Sequence, residues 1–312
     1  MKILVAGATG AIGRQLVPRL VAAGHDVTGM VRSDSRRDAV EELGAQAVTA
    51  DALVAEEVAA AVAHAHPDVI VHELTAIRAI DIKNFDSSFE ATNRLRTQGT
   101  DHLLSAGQAI GVKRFIAQSY AGWPFERQGA AVKRETDGLD PTPVASMRQT
   151  LDAIKHLENA VTGAAWTEGI VLRYGGLYGP GTSLSKDGDQ AQLIASRKFP
   201  LVGSGDGLWS FVHVADAAEA TVAAVERGER GIYQIVDDEP APVREWLPAA
   251  AQAMGARQPY KVPRWLGRIV AGEAAAAMMT EVRGASNAKA KADLGWQPAH
   301  PSWRAGFAAE LA

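Results

Sequence analysis

A glycine-rich turn directly behind a short apolar run is the feature that most constrains this chain of 312 residues. Ile3-Leu4-Val5 is typical of a buried strand, and a helical pattern over Ala11–Ala23 follows. Glycines between them let the chain turn sharply, let the backbone approach a pyrophosphate, and let the helix pack closely on the strand. The helix N-terminus then offers free N–H groups to the phosphates. We therefore predict that a dinucleotide binds at Gly7, Thr9, Gly10, Ala11, Ile12 and Gly13. The alternative is a glycine-rich turn in a sheet that binds no ligand.

Short apolar runs alternate with helical patterns along the first 173 residues. Further strands are predicted at Asp26–Val31, Ala47–Val48, Asp68–His72, Arg114–Gln118 and Gly169–Arg173. Helices are predicted at Glu56–Ala65, Phe89–Gly107 and Thr150–Thr162. This alternation indicates an α/β fold, in which right-handed crossovers join parallel strands and helices cover both faces of the sheet. Pro18 falls inside the first helical pattern, and we accept the helix despite the lost hydrogen bond.

Past Tyr174 the pattern loosens into a glycine-rich loop and proline-marked turns. Two more strands, at 210–214 and 231–236, flank a helix at 215–226. We predict a dinucleotide-binding domain over 1–173, to which 209–236 return. Residues 174–208 and 237–312 then form a smaller C-terminal substrate-binding lobe.

Composition excludes several classes of function. The chain has no Cys, which excludes disulfides, thiolate nucleophiles and Cys-ligated metals. His64, His66 and His72 lack a metal-binding spacing, and Asp237-Asp238-Glu239 before Pro240 is typical of a solvated turn, so no metal is expected. A net charge of -4 gives no electrostatic footprint for nucleic acid. With no signal peptide or membrane-spanning run, we expect a cytoplasmic protein without a membrane partner.

The end of the second strand distinguishes the two nicotinamide cofactors. An acidic side chain about 20 residues past the glycines would hold a ribose diol and repel a 2′-phosphate. Val31 and Arg32 stand there instead. Arg32, Ser33 and Arg36 offer cations and a hydroxyl to a phosphate, which favours NADP(H) over NAD(H). The alternative is that these arginines form a solvated loop.

Five other residues are candidates for cofactor binding. Asp51, beside Ala52, either accepts a hydrogen bond from an adenine amino group or caps the following helix. Leu74 and Thr75 follow the fourth strand, at the sheet edge where ligands bind. Asn93 is expected to bond the backbone at the junction of sheet and helix.

Several motifs in order carry a family resemblance. They are the glycine turn, Asp51-Ala52, Asn93, the Leu172–Gly181 segment and Phe211–Asp216. Together they resemble the extended short-chain dehydrogenase/reductase family, in its NAD(P)-dependent epimerase/dehydratase branch. The resemblance implies a Rossmann-type doubly wound parallel sheet, a C-terminal substrate lobe and hydride transfer to or from carbon. It is also compatible with a homodimer formed through helices such as Phe89–Gly107 and Thr150–Thr162.

The chain departs from the catalytic pattern of that family, which has a Tyr-x-x-x-Lys pair on the helix after the fifth strand. With Glu158 at the family's acidic position, Thr150 and Ile154 stand where Tyr and Lys belong. The remaining catalytic candidates are Ser119 and Tyr120, with Thr75 assisting. Lys133 is a cation that would tune the phenol of Tyr120. The alternative for Tyr120 is a packed ring whose hydroxyl bonds within the loop.

Two further departures concern the substrate. Gly176 replaces an Asn of the nucleotide-sugar enzymes, and Trp209 replaces an Arg that pairs with the sugar diphosphate. We expect five aromatic residues to face one cavity: Trp123, Phe125, Tyr174, Trp209 and Phe211. The candidate substrate residues are Trp123, Lys133, Tyr174, Gly176 and Trp209.

These observations predict an NADP(H)-dependent oxidoreductase acting on a carbonyl or alcohol of a small, largely apolar or aromatic molecule. Two alternatives stay open. One is a nucleotide-sugar epimerase or dehydratase, and the other is a catalytically silent NAD(P)-binding sensor or assembly protein.

Overall fold

A computed structural model describes residues 1–77 and 80–312. Its strands are β1 Lys2–Ala6, β2 Asp26–Val31, β3 Gln46–Thr49, β4 Val69–His72, β5 Arg114–Tyr120, β6 Val132–Lys133, β7 Glu168–Tyr174, β8 Gly176–Tyr178, β9 Leu201–Val202, β10 Leu208–Trp209, β11 Phe211–His213, β12 Gly231–Ile235, β13 Ala241–Pro242, β14 Lys261–Val262 and β15 Gly284–Ala285.

Its α-helices are α1 Ala11–Ala22, α2 Arg37–Glu41, α3 Ala55–Ala65, α4 Phe85–Arg94, α5 Thr100–Ile110, α6 Arg148–Gly163, α7 Asp189–Ala195, α8 Val214–Arg227, α9 Val243–Ala253, α10 Arg264–Thr280, α11 Ala288–Leu294 and α12 Trp303–Glu310. Short 3₁₀ turns lie at Asp34–Arg36, Ile82–Asn84 and Ala145–Met147, and a π-helical turn at Leu95–Gly99 joins α4 to α5. None of the helices within the described ranges is both long and apolar enough to cross a membrane.

Seven parallel strands form the central sheet, in the order β12-β7-β5-β4-β1-β2-β3. The chain runs outward from β1 to β3 and then returns to β4 on the other side of β1. This reversal makes the carboxyl ends of β1 and β4 the edge at which an open α/β sheet binds ligands. The predicted doubly wound sheet is confirmed.

Helices cover both faces of the sheet because successive strand residues point to opposite sides. Ile3 and Val5 of β1 pack with Leu16 of α1 and Ala217 of α8. On the opposite face, Leu4 and Ala6 share a core with residues of α3, α5 and α6. Helix α1 continues through Pro18, as predicted.

A second hydrophobic core lies in the C-terminal part of the chain, where Tyr178, Phe211, Trp246, Trp303 and Phe307 pack together. Helix α11 falls within the segment that we assigned to the smaller lobe, yet Ala290 and Leu294 pack in the core of the sheet. The C-terminal segment therefore contributes to both cores.

Candidate active site

The glycine turn forms a cradle at the carboxyl end of β1. Gly7 has a φ of +99°, and a Cβ there would lie 2.7 Å from the carbonyl oxygen of Glu73. A Cβ on Gly13 would lie 2.3 Å from the carbonyl oxygen of Gly7. Gly10 caps α1 without a side-chain hydrogen bond, so the first-turn amides of Ala11, Ile12 and Gly13 are open to a ligand. These residues fit the pyrophosphate of a nicotinamide cofactor.

Glu73 follows β4 and lies beside this cradle, and its carboxyl group is buried. A chain of hydrogen bonds connects it to α8: Glu73 Oε1 to the Tyr174 hydroxyl at 3.0 Å, the Tyr174 hydroxyl to the Thr221 hydroxyl at 2.7 Å, and Thr221 to the carbonyl of Ala217 at 2.8 Å. Glu73 Oε2 is buried without a partner among the described residues. Burial raises the pKa of Glu73 to about 8, and the bond from Tyr174 opposes the shift.

The Tyr174 hydroxyl donates to Glu73 Oε1, and the Thr221 hydroxyl donates to the carbonyl of Ala217. Burial outweighs the opposing bond from Tyr174, so Glu73 is protonated at neutral pH.

The predicted phosphate-binding side chains lie past the end of β2. Arg32, Ser33 and Arg36 are all exposed, and within the described part of the chain neither arginine has a salt bridge. The Ser33 hydroxyl is 2.9 Å from that of Ser35. Both guanidinium groups are therefore free to meet a phosphate.

Asp51 lies in the turn before α3, where its Oδ1 accepts from the amide of Leu53 at 2.9 Å. Ala52 is buried, and its carbonyl contacts His102 Nδ1 at 3.0 Å. Val54 is the N-cap of α3 and receives no side-chain hydrogen bond, so Asp51 does not cap that helix, and its bond to an adenine amino group stays a prediction.

Leu74 and Thr75 lie at the carboxyl end of β4, as predicted. The amide of Leu74 donates to His72 Nδ1 at 3.2 Å, and Thr75 is exposed. The Asn93 amide donates to the Thr150 hydroxyl at 3.1 Å, so its expected bond to the backbone is wrong. The reason is that α4 packs against the first turn of α6, which places a side-chain hydroxyl within its reach.

Ser119 belongs to a buried ion-pair network at the end of β5. Its hydroxyl donates to Glu158 Oε1 at 2.7 Å, and Arg173 donates to the same carboxylate through Nε at 2.7 Å and NH2 at 2.6 Å. Because the Ser119 hydroxyl already donates its hydrogen bond to Glu158, it stabilises this network and is not a free proton donor.

Tyr120 points to the opposite face of β5 from Ser119, so the two do not meet. Its ring is half-buried and has no hydrogen-bond partner among the described residues. Burial raises the pKa of Tyr120 to about 12, so the phenol stays protonated at neutral pH. Lys133 is buried and donates to the carbonyl of Gln128. Burial is the only cause of the Tyr120 shift, so Lys133 does not lower that pKa.

The prediction of one aromatic cavity is wrong. The five rings divide among four packing clusters: Tyr174 in the sheet core, Trp209 and Phe211 in the second core, Trp123 beside Phe85, and Phe125 near Val236. The Trp209 indole donates to the carbonyl of Met278 at 2.9 Å and packs 5.0 Å from Trp246. A Cβ on Gly176 would lie 3.2 Å from the Phe211 ring. Local apolar neighbours cover these rings, which explains why they do not converge.

The predicted solvated turn at Asp237–Glu239 is wrong for Asp237, whereas Asp238 is exposed. Asp237 is buried, and burial raises its pKa to about 8. Asp238 pairs with Lys291, and Glu239 accepts from Arg304. These partners come from late in the chain, so the acidic run joins elements of the C-terminal part. Within the described ranges, no group of three acidic or His side chains is arranged to hold a metal ion.

A cavity of about 380 Å³ opens elsewhere, lined in part by Arg127, Asp140, Glu281 and Arg283. None of the predicted site residues lines it. We therefore place the candidate site at the carboxyl edge of the sheet, where the glycine cradle, Glu73 and Ser119 lie.

Sequence reasoning missed Glu73 and Arg96. Glu73 is an acidic residue directly after an apolar strand, at the predicted ligand-binding edge. Arg96 shares a helix face with the buried residues Phe89, Thr92 and Leu103, and only 8% of its surface is exposed. A charged residue on an otherwise apolar stripe was the signal available in each case.

Comparison with known proteins agrees with this geometry. The profile of the NAD dependent epimerase/dehydratase family matches residues 3–236. The chain belongs to this family. A 3-diazoavenalumate denitrifying reductase from a Streptomyces species is 43% identical over 99% of this chain and 100% of its own length. A 4-hydroxy-2-methyl-3-oxo-4-farnesyl-3,4-dihydroquinoline-1-oxide ketoreductase from Stigmatella aurantiaca is 28% identical over 82% of this chain and 74% of its own.

Among solved structures, the UDP-glucose 4-epimerase of Thermotoga maritima with UDP-glucose superimposes with a TM-score of 0.77. It is 21% identical and covers 100% of this chain and 97% of its own, a likeness that shows the fold. Family and reductase relatives together make this chain an NAD(P)-dependent oxidoreductase. The alternative of a catalytically silent dinucleotide-binding protein is thereby set aside.

Proposed function

We propose that this epimerase/dehydratase family member is an NADPH-dependent reductase that replaces the diazonium group of a small aromatic compound with hydrogen and releases dinitrogen. Support comes from the full-length relative at 43% identity, which is named for denitrifying reduction of a diazo compound.

The observation that carries the proposal is the first part of α6. Thr150 and Ile154, which replace the Tyr and Lys of the family, are both buried. The Thr150 hydroxyl donates to Asp86 at 2.6 Å and accepts from Asn93, so it has no proton to offer a substrate. Reduction of a carbonyl creates an alkoxide that needs a proton donor of this kind.

Reduction of an arenediazonium ion needs no such donor. NADPH, when bound by the glycine cradle, would supply the hydride. A C–H bond forms on the ring, the C–N bond breaks, and its electron pair leaves with neutral dinitrogen. No oxyanion forms, so a site without the phenol and lysine suits this reaction.

The residues of this chain bind the cofactor and orient the aromatic acceptor. The amides at the start of α1 hold the pyrophosphate, and Arg32 and Arg36 favour the 2′-phosphate of NADPH. Phe85, Phe89 and Trp123 form an aromatic cluster beside α6, with ring centroids 4.6 Å and 5.2 Å apart. Phe85 and Phe89 are buried in this cluster, and the half-buried Trp123 is the ring that would contact an aromatic acceptor.

The test supplies benzenediazonium and NADPH that is deuterated at the transferable position. We expect deuterium in the benzene product and one dinitrogen for each NADPH oxidised. Gly13→Ala is the control for background reduction in solution, because it closes the cradle. If the wild type transfers no more deuterium than Gly13→Ala does, the proposal fails.

A carbonyl reductase is the second candidate, favoured by the ketoreductase relative and by the protonated phenol of Tyr120. Tyr120→Phe separates the two. A carbonyl reductase that protonates its product through Tyr120 loses turnover of aromatic aldehydes in this variant, whereas diazonium reduction keeps its rate. Wild-type turnover of benzaldehyde without turnover of benzenediazonium would favour this candidate.

A further inference from the structure

Arg96 lies in the π-helical turn between α4 and α5, a kind of turn that often marks functional sites. The turn packs over the end of β4, where His72 Nε2 is 3.1 Å from the Thr100 hydroxyl at the start of α5. Arg96 therefore lies close to the carboxyl ends of β4 and β5, beside the network of Ser119 and Glu158.

The positive charge of Arg96 has no matching negative charge. Glu158 is the nearby carboxylate, and it already accepts two hydrogen bonds from Arg173 and one from Ser119. His72 is neutral, because burial lowers its pKa to about 4. Two buried guanidinium groups thus share one buried carboxylate.

The guanidinium of Arg96 is also short of hydrogen bonds. Among the described residues its one partner is Asn93 Oδ1, at 3.5 Å. Arg173 NH1 is sealed from solvent without a partner, whereas 8% of the Arg96 surface is exposed. The Phe89 ring lies 5.8 Å from the guanidinium carbon. A buried charge of this kind is costly unless a ligand pairs with it.

We propose that Arg96 binds an anionic oxygen of the acceptor, a carboxylate or a phenolate. The planar fork of its N–H groups suits two oxygens of one carboxylate. This inference rests on the proposed function only for the identity of the acceptor as an aromatic compound. Arg96 acts as a specificity-determining residue, and it orients the ring between the aromatic cluster and the end of β5.

The test measures binding by calorimetry to the protein saturated with NADP⁺. Benzoate is the carboxylate probe, 4-nitrophenolate the phenolate probe, and benzamide the neutral probe of similar shape. We expect Arg96→Gln to weaken one or both anions by about 10- to 100-fold and to leave benzamide unchanged, as loss of a charged hydrogen bond requires. Which anion responds identifies the oxygen.

Two further variants serve as controls for the loss of charge and for the intact fold. Arg94→Gln removes an exposed arginine from the end of α4, two residues before Arg96, and should change none of the affinities. Arg96→Lys keeps the charge but loses the fork, so it should recover part of the benzoate affinity if the fold is intact. Equal affinities of wild type and Arg96→Gln for both anions would overturn the proposal.

A third possible anion, the cofactor phosphate, is distinguished in the same samples. If Arg96→Gln weakens NADPH binding and leaves benzoate and 4-nitrophenolate unchanged, Arg96 serves the cofactor and the proposal is wrong. No turnover is needed, so failure of diazonium reduction leaves this test valid.

Discussion

Replacing Glu73 with Gln removes a titrating group from the buried chain that connects β4 to α8. The side-chain carbonyl of Gln accepts from the Tyr174 hydroxyl as Glu73 Oε1 does, so the hydrogen bond persists. We expect Glu73→Gln to be more stable than the wild type above neutral pH, because the variant has no carboxyl group to ionise.

The magnitude follows from the pKa. Burial raises the pKa of Glu73 from 4.5 to about 8, so the folded state binds its proton more tightly than the unfolded state does. This stabilisation is complete below pH 4.5 and is lost as the pH rises through about 8. At about 1.4 kcal/mol for each pKa unit, the free energy of unfolding of the wild type falls by about 5 kcal/mol relative to Glu73→Gln between these limits.

Urea unfolding of both proteins at pH 5, 7 and 9 measures the difference. Other groups, including Asp237, titrate in both proteins and cancel in the subtraction. We expect the free energy of unfolding of Glu73→Gln to exceed that of the wild type by an amount that grows with pH, at up to about 1.4 kcal/mol per pH unit. Parallel stability curves would show that Glu73 is ionised in the folded protein, which contradicts the raised pKa.

Two further predictions concern the cofactor. Arg32→Asp should weaken NADPH binding by about 10- to 100-fold and strengthen NADH binding in fluorescence titrations, because it exchanges a phosphate partner for a repelling charge. Arg257→Asp, an equal charge change at an exposed residue, is its control, and an unchanged preference would refute the role of Arg32. Gly13→Ala should abolish measurable NADPH binding, since the added Cβ would lie 2.3 Å from the Gly7 carbonyl oxygen. Gly163→Ala, where a Cβ meets open space, should bind normally, and tight binding by Gly13→Ala would contradict the cradle geometry.

The sheet and the cradle could be predicted because their signals are local. Val69–His72 is an apolar run, and its burial on both faces follows from that run alone. Glu73 and Tyr174 lie 101 positions apart, so only the folded chain shows that they are bonded. Asp238 pairs with Lys291, which follows 53 positions later, so this ion pair also appears only in the folded chain. Arg96 needed a count of charges around Glu158, which requires knowing how α6, β5 and β7 meet.

The return of α11 to the sheet after the chain has built most of the second core has a mechanical consequence. Residues 288–312 place Leu294 in the core of the sheet and Trp303 and Phe307 in the second core, so one segment is packed into both. Removing or detaching this segment would therefore destabilise both cores at once. Melting should therefore proceed as one event, and any tilt of one half over a bound molecule must bend this segment or carry it along.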